Sequence, residues 1–111
     1  MGKDTTLALL PGTLELLILK TLTGGALHGY AIAQRVKTRS EDVLQVGESS
    51  LYPALQRLLL KGWVQAEWGA SENNRRARYY TLTAAGCKQM AVEREAFDRV
   101  ILAIHKVLNA T

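Results

Sequence analysis

Glu48-Ser49-Ser50-Leu51-Tyr52-Pro53-Ala54-Leu55-Gln56-Arg57-Leu58 reads as a short helix with two unlike faces, followed within a few residues by a strongly basic hairpin. Leu51, Leu55 and Leu58 recur at helical spacing and make an inner stripe, which leaves Gln56 and Arg57 outside. Ser49 or Ser50 is expected to cap the helix, placing Pro53 in the first turn, where a missing N–H does no harm. Gly62 ends it. From Trp63 the period changes from helical to alternating. Residues 63–68 read as one strand and residues 78–82 as its return partner, with the polar tip 69–76 between them. A helix of this size fits the major groove of DNA, and a cationic ribbon beside it can reach phosphates.

Upstream, Pro11 is expected to open a first helix, since proline suits a first turn. Leu14, Leu17, Ile18 and Leu22 give it an apolar face, and Gly24-Gly25 stops it. A second helix starts near His28 and runs to about Thr38, with Ile32 and Val36 inward and Gln34, Arg35, Lys37 and Arg39 wet. Residues 40–47 form a mostly polar connection. Downstream of the hairpin, Thr83 caps a last helix that runs to about Leu108. Met90, Phe97, Ile101, Ile104 and Leu108 follow heptad-like spacing there, widened by Val100 and Val107. The expected fold is mainly α with a small β-hairpin: a winged helix-turn-helix over residues 1–83, and a C-terminal dimerisation helix over 84–111, in one structural unit.

Composition agrees with this without deciding it. A chain of 111 residues with 48% hydrophobic content has one small core, and pairing is a common way to stabilise such a domain. Fourteen Lys and Arg against ten Asp and Glu give a net charge of +4, which favours a polyanionic partner. The single cysteine, Cys87, excludes an internal disulfide and suits a reducing compartment. No stretch resembles a signal peptide: the apolar run Leu7-Ala8-Leu9-Leu10 ends at once in Pro11-Gly12. The apolar residues 14–22 include Glu15 and Lys20 and are too few to span a bilayer. A cytoplasmic protein with no membrane association is the expectation.

Taken in order, several segments resemble the PadR family of transcriptional regulators in its shorter form with a single C-terminal helix. They are Pro11-Gly12-Thr13-Leu14, Leu27-His28-Gly29-Tyr30, Ser50-Leu51-Tyr52-Pro53-Ala54-Leu55, Lys61-Gly62-Trp63-Val64, Asn73-Asn74-Arg75-Arg76-Ala77-Arg78-Tyr79-Tyr80 and Leu82-Thr83-Ala84-Ala85-Gly86. The resemblance runs from about Leu10 to Met90 and more loosely beyond. It implies a homodimeric, DNA-binding regulator, usually a repressor released from its operator by a small molecule or other signal. Family members commonly carry a glutamate and another polar or charged residue where Leu59 and Leu60 stand. Leu59 can join the inner stripe, whereas Leu60 is expected to be exposed.

Roles follow from side-chain chemistry. Gln56 and Arg57 are the candidates for base reading, because glutamine and arginine pair bidentately with adenine and guanine edges. Ser49, Ser50 and Tyr52 are assigned to phosphates, with one serine also capping. Arg75, Arg76 and Arg78 are the wing charges, with Asn73 and Asn74 as neutral hydrogen-bonders. His28 and Tyr30 begin the second helix, whose N-terminus can hold a phosphate; core packing is the competing role for Tyr30. Trp63 is read as hairpin core, while Trp68 lies near the wing tip, where burial is harder to secure. Met90, Phe97, Val100, Ile101, Ile104 and Leu108 carry too much apolar surface to stay wet and are assigned to a dimer interface. Met90, Phe97 and Ile104 are also placed to line an effector cavity there. Two copies would read double-stranded DNA as a pseudo-palindromic operator, with half-sites about one helical turn apart.

Other classes find less support. Cys87 has no nearby partner, His28 and His105 show no ligand spacing with it, and there is no Gly-rich phosphate loop. Neither an enzyme, a metal site nor a cofactor is indicated. The main alternative is a winged-helix module that binds protein rather than DNA. It would call for an apolar outer face on the third helix, where this chain carries Gln56 and Arg57.

Overall fold

A computed structural model describes residues 12–111, and the expected role of Pro11 as the opening residue of the first helix lies outside them. Helix α1 (Thr13–Thr21) passes through a 3-10 turn (Leu22–Gly24) into a two-residue strand, β1 (Leu27–His28). Helix α2 (Gly29–Arg39) and helix α3 (Glu48–Lys61) follow, then β2 (Val64–Ala70), β3 (Arg76–Leu82) and the long helix α4 (Ala84–Leu108). The inner stripes of the first three helices meet in one core. Ile18 and Leu19, Ile32, and Leu51, Ala54, Leu55 and Leu58 are buried there against Val64 and Tyr80 of the hairpin. Each such Leu or Ile contributes about 1.5–3 kcal/mol by leaving water.

Two expectations about the hairpin change. The sheet has three strands in the order β1-β3-β2, because Leu27 and His28 pair with Tyr80 and Tyr79. Two residues are too few to show a strand period, so β1 was illegible. The ribbon is also longer than expected, since Gly69, Ala70 and Arg76 pair as strand residues and only 71–75 turn. Asn74 takes a left-handed conformation there, φ 57°, which asparagine tolerates better than most residues.

The exit of α3 and the entry of α4 are locked together. Gly62 closes α3 with φ 76°, a left-handed cap that favours glycine. The Thr83 hydroxyl accepts from the Gly86 N–H at 3.0 Å as the N-cap of α4 and donates to the Gly62 carbonyl at 2.7 Å. The Thr83 N–H donates to the Trp63 carbonyl at 3.1 Å. Gly86 completes the joint by its lack of a side chain: a Cβ there would fall on that same Trp63 carbonyl oxygen. Alanine in place of a helical glycine ordinarily stabilises by up to about 1 kcal/mol. Gly86→Ala is expected to do the reverse and lower stability by about 1–3 kcal/mol through overpacking, read as a fall in the thermal midpoint.

Candidate nucleic-acid interface

Helix α3 begins earlier than its serines suggest. Gly47, with extended backbone at φ −83° and ψ 164°, is the N-cap, and the ladder starts with the Leu51 N–H on the Gly47 carbonyl at 3.0 Å. Ser49 and Ser50 are therefore helical residues rather than caps, and no side chain caps this helix. Pro53 correspondingly lies in the second turn, where its missing N–H removes one rung of the ladder. Ser49, Pro53, Gln56 and Leu60 then line one exposed face. Leu60 is 78% exposed, while Leu59 packs against the core, as anticipated.

Arg57 does not share that face. Its Nε donates to Glu15 Oε2 at 2.8 Å, and Lys61 Nζ donates to Glu15 Oε1 at 2.8 Å. The side chain expected to read bases instead ties α3 to α1. The reason is positional: Arg57 is one residue from Gln56, hence about 100° further round the helix, and Lys61 lies one turn along the same edge. Glu15 was a sequence-illegible partner, 42 residues away from Arg57. Its side chain is only 14% exposed, and burial alone would push its carboxyl up. The hydrogen bonds and charges of Lys61 and Arg57 outweigh that and hold it below the ordinary value of 4.5.

Tyr52 is wedged between helices. A Cβ at Gly29 would meet its ring and hydroxyl at 2.9 Å, so glycine at the start of α2 makes room for it. Burial, then the Glu48 carboxylate and Tyr80, push the Tyr52 phenol up. His28 caps α2 with its own side chain: Nδ1 accepts the Ala31 N–H at 3.2 Å. The imidazole also stacks on Tyr30 and meets Tyr79 edge-on. Tyr30 is 67% exposed, which removes the core-packing alternative for it.

Two clefts share Tyr30 and Gln34. One, of about 660 Å³, separates α2 from the wing tip and includes Arg35, Arg39 and Asn73. The other, of about 470 Å³, separates α2 from the start of α3 and includes Lys37, Glu48 and Tyr52. Sequence reasoning left Gln34, Arg35 and Arg39 as wet helix residues. The i, i+4 spacing of Arg35 and Arg39, which gathers two cations on one side of α2, was the available signal. In the wing, strand alternation puts Arg76 and Arg78 on the face that carries Trp68, while Arg75 belongs to the turn. All three arginines are exposed, and no carboxylate pairs with them among the described residues.

The interface residues expected on α4 divide. Met90 packs against the protein's own core, and Phe97 and Ile101 are half-buried. Val100, Ile104 and Leu108 are exposed, together with Val107. A groove of about 280 Å³ lies between the start of α1 and α4, lined by Thr13, Leu16, Glu93, Phe97 and Val100; of the residues expected to line a cavity, Phe97 is there, and Met90 and Ile104 are not. Among the described residues no helix is long and apolar enough to cross a membrane, and no acidic, His and Cys side chains gather as a metal site.

This geometry has known counterparts. The family model described as the transcriptional regulator PadR-like family matches residues 18–92. A curated relative from Lysinibacillus sphaericus, "Uncharacterized protein X", is 31% identical over 75 residues, covering 68% of this chain and 69% of its own. A solved transcriptional regulator from Clostridium thermocellum superposes with a TM-score of 0.78 at 27% identity, over 86% of this chain and 92% of that one. A PadR family transcription regulator from Clostridium difficile gives 0.75 at 26% identity, over 88% and 100%.

The Glu15 clamp makes stability depend on acid. Because its carboxyl titrates lower in the folded chain than in the unfolded one, its contribution is complete above the ordinary value of 4.5 and is lost as pH falls through the folded value. Glu15→Gln should cost about 1 kcal/mol at neutral pH, the partly exposed cations limiting the figure. The gap between wild type and variant in denaturant midpoints should close on acidification below that range.

Proposed function

Because this chain belongs to the transcriptional regulator PadR-like family, and so is a DNA-binding regulator, we propose that it works as a homodimeric repressor released from its operator by a small molecule or other signal. The observation that carries the dimer is the apolar stripe of α4. Val100, Ile104 and Leu108 repeat at helical spacing and are 48%, 39% and 70% exposed. A second copy of the helix covers such a stripe by knobs-into-holes packing and removes it from water. Repression is the sense that resemblance to the family implies.

In this reading the outer face of α3 enters the major groove, with Gln56 reading bases and Ser49 and Ser50 near the backbone. Tyr52, His28 and Tyr30 line the edge of the same surface, and Arg35 and Arg39 extend its positive charge along α2. Asn73, Asn74, Arg75, Arg76 and Arg78 bring the wing to phosphates. Arg57 stays with Glu15. Two recognition helices related by the dimer axis call for a pseudo-palindrome with half-sites about one turn apart. The groove between α1 and α4 supports the release step. A ligand that fits it better in one separation of the two subunits shifts the spacing of the recognition helices.

Footprinting on genomic fragments, including the DNA upstream of this chain's own gene, should give two protected half-sites about one turn apart. Sequence-blind binding that disappears with salt would instead favour the protein-interaction module. Ile104→Glu should yield a monomer in sedimentation analysis and weaken operator binding by roughly 100-fold, the scale of lost bivalency. Arg75→Ala with Arg76→Ala should weaken binding to all DNA sequences alike and flatten the logarithmic salt slope by about one per lost phosphate contact. An unchanged slope would remove the wing from the interface.

A further inference from the structure

Trp68 is the largest apolar side chain in the wing, yet it is 59% exposed. Its strand position explains where it points. Val64, Ala66, Trp68 and Ala70 alternate onto one face of β2, opposite Leu82, Tyr80, Arg78 and Arg76 of β3. At the base of the ribbon this face is core, since Val64 and Tyr80 are buried against α3. Further out the same face leaves the core and carries Trp68, Ala70 and the two arginines. The Arg76 guanidinium lies over the Trp68 ring, 4.8 Å from its centroid, and Arg78 is the direct cross-strand neighbour of Trp68. Among the described residues no acidic group competes for either arginine.

We propose that Trp68 is a positioning residue for DNA binding: its indole face holds the Arg76 guanidinium in place, so that the wing meets a backbone phosphate with a preorganised cation. The inference rests on the DNA-binding reading above and adds to it a residue to which no role has been assigned. A stacked guanidinium keeps its N–H edges free while its plane is occupied, so the contact that orients it does not use the groups that bind phosphate. An arginine held in this way surrenders less side-chain freedom when the phosphate arrives than one that is free in solvent. Burial does not account for an indole in this position, because most of it remains in water. The cation beside it does.

The test is a thermodynamic cycle on the full chain, read by titration with a mixed-sequence DNA duplex across a salt series. Trp68→Ala should weaken binding roughly two- to fivefold per wing, the scale of one cation–π contact, and Trp68→Phe should recover most of that loss. In an Arg76→Ala background, Trp68→Ala should cost nothing further, because the residue acts through Arg76. With Trp63→Phe, Trp68 is the remaining one of the chain's two tryptophans, and its emission should change in proportion to bound duplex. The cycle itself does not need that background, so a poorly folding Trp63→Phe protein leaves the test intact. Additive losses from Trp68→Ala and Arg76→Ala, or unchanged binding by Trp68→Ala, overturn the proposal and leave the DNA-binding reading standing. Absence of duplex binding by the wild-type chain overturns both.

Discussion

The joint between α3 and α4 sets the geometry on which the rest of the protein depends. One threonine hydroxyl caps α4 and closes the carbonyl end of α3, and one glycine lets α4 pass close against the Trp63 carbonyl. The connecting residues between the two helices are themselves the hairpin, whose strands start and finish at this joint. Helix α3, the hairpin and the long helix α4 therefore leave one point in fixed directions. In the proposed dimer, the distance between the two copies of α3 is the quantity that must not drift. A joint made of short hydrogen bonds and a close backbone contact resists such drift better than a loop.

Helix α1 adds the second fixed relation. It lies between α3 on one side and α4 on the other, and it uses different chemistry toward each. Toward α3 it offers Glu15, clamped by Arg57 and Lys61, in addition to the shared core. Toward α4 it offers the apolar wall of a groove that includes Leu16 and Phe97. The charged contact is specific in angle and the apolar one is permissive.

Charge is distributed by a similar logic. The cations Arg57 and Lys61 share the one carboxylate of Glu15, and on α4 the exposed Arg94 approaches the exposed Asp98 at 3.8 Å. Those in the wing have aromatic rather than acidic neighbours: Arg76 lies over Trp68, and Arg78 lies 5.9 Å from the Tyr80 centroid. An aromatic neighbour steadies a guanidinium without cancelling its charge. The contrast separates cations that hold the fold together from cations left available to a polyanion, and net charge alone does not draw that line.

What the sequence determined is local. The periods of Leu51, Leu55 and Leu58 in α3 and of Ile32 and Val36 in α2 named the core faces, Gly62 and Thr83 marked helix ends, and the change of period after Gly62 announced the hairpin. Each of these signals depends on residues a few positions apart, where backbone geometry alone decides which side chains share a face. Only the tertiary structure decided the rest. The two residues of β1 are a strand because β3 lies beside them, and Gly47 starts α3 because the preceding backbone arrives extended. Arg57 belongs to the fold rather than to the reading face because Glu15, distant in sequence, is near in space. Met90 falls to the core while Val100, Ile104 and Leu108 on the same stripe stay exposed, because the globular part ends beneath α4 before the helix does. A repeat along a helix shows which face is apolar; what covers that face depends on chain segments far away in sequence.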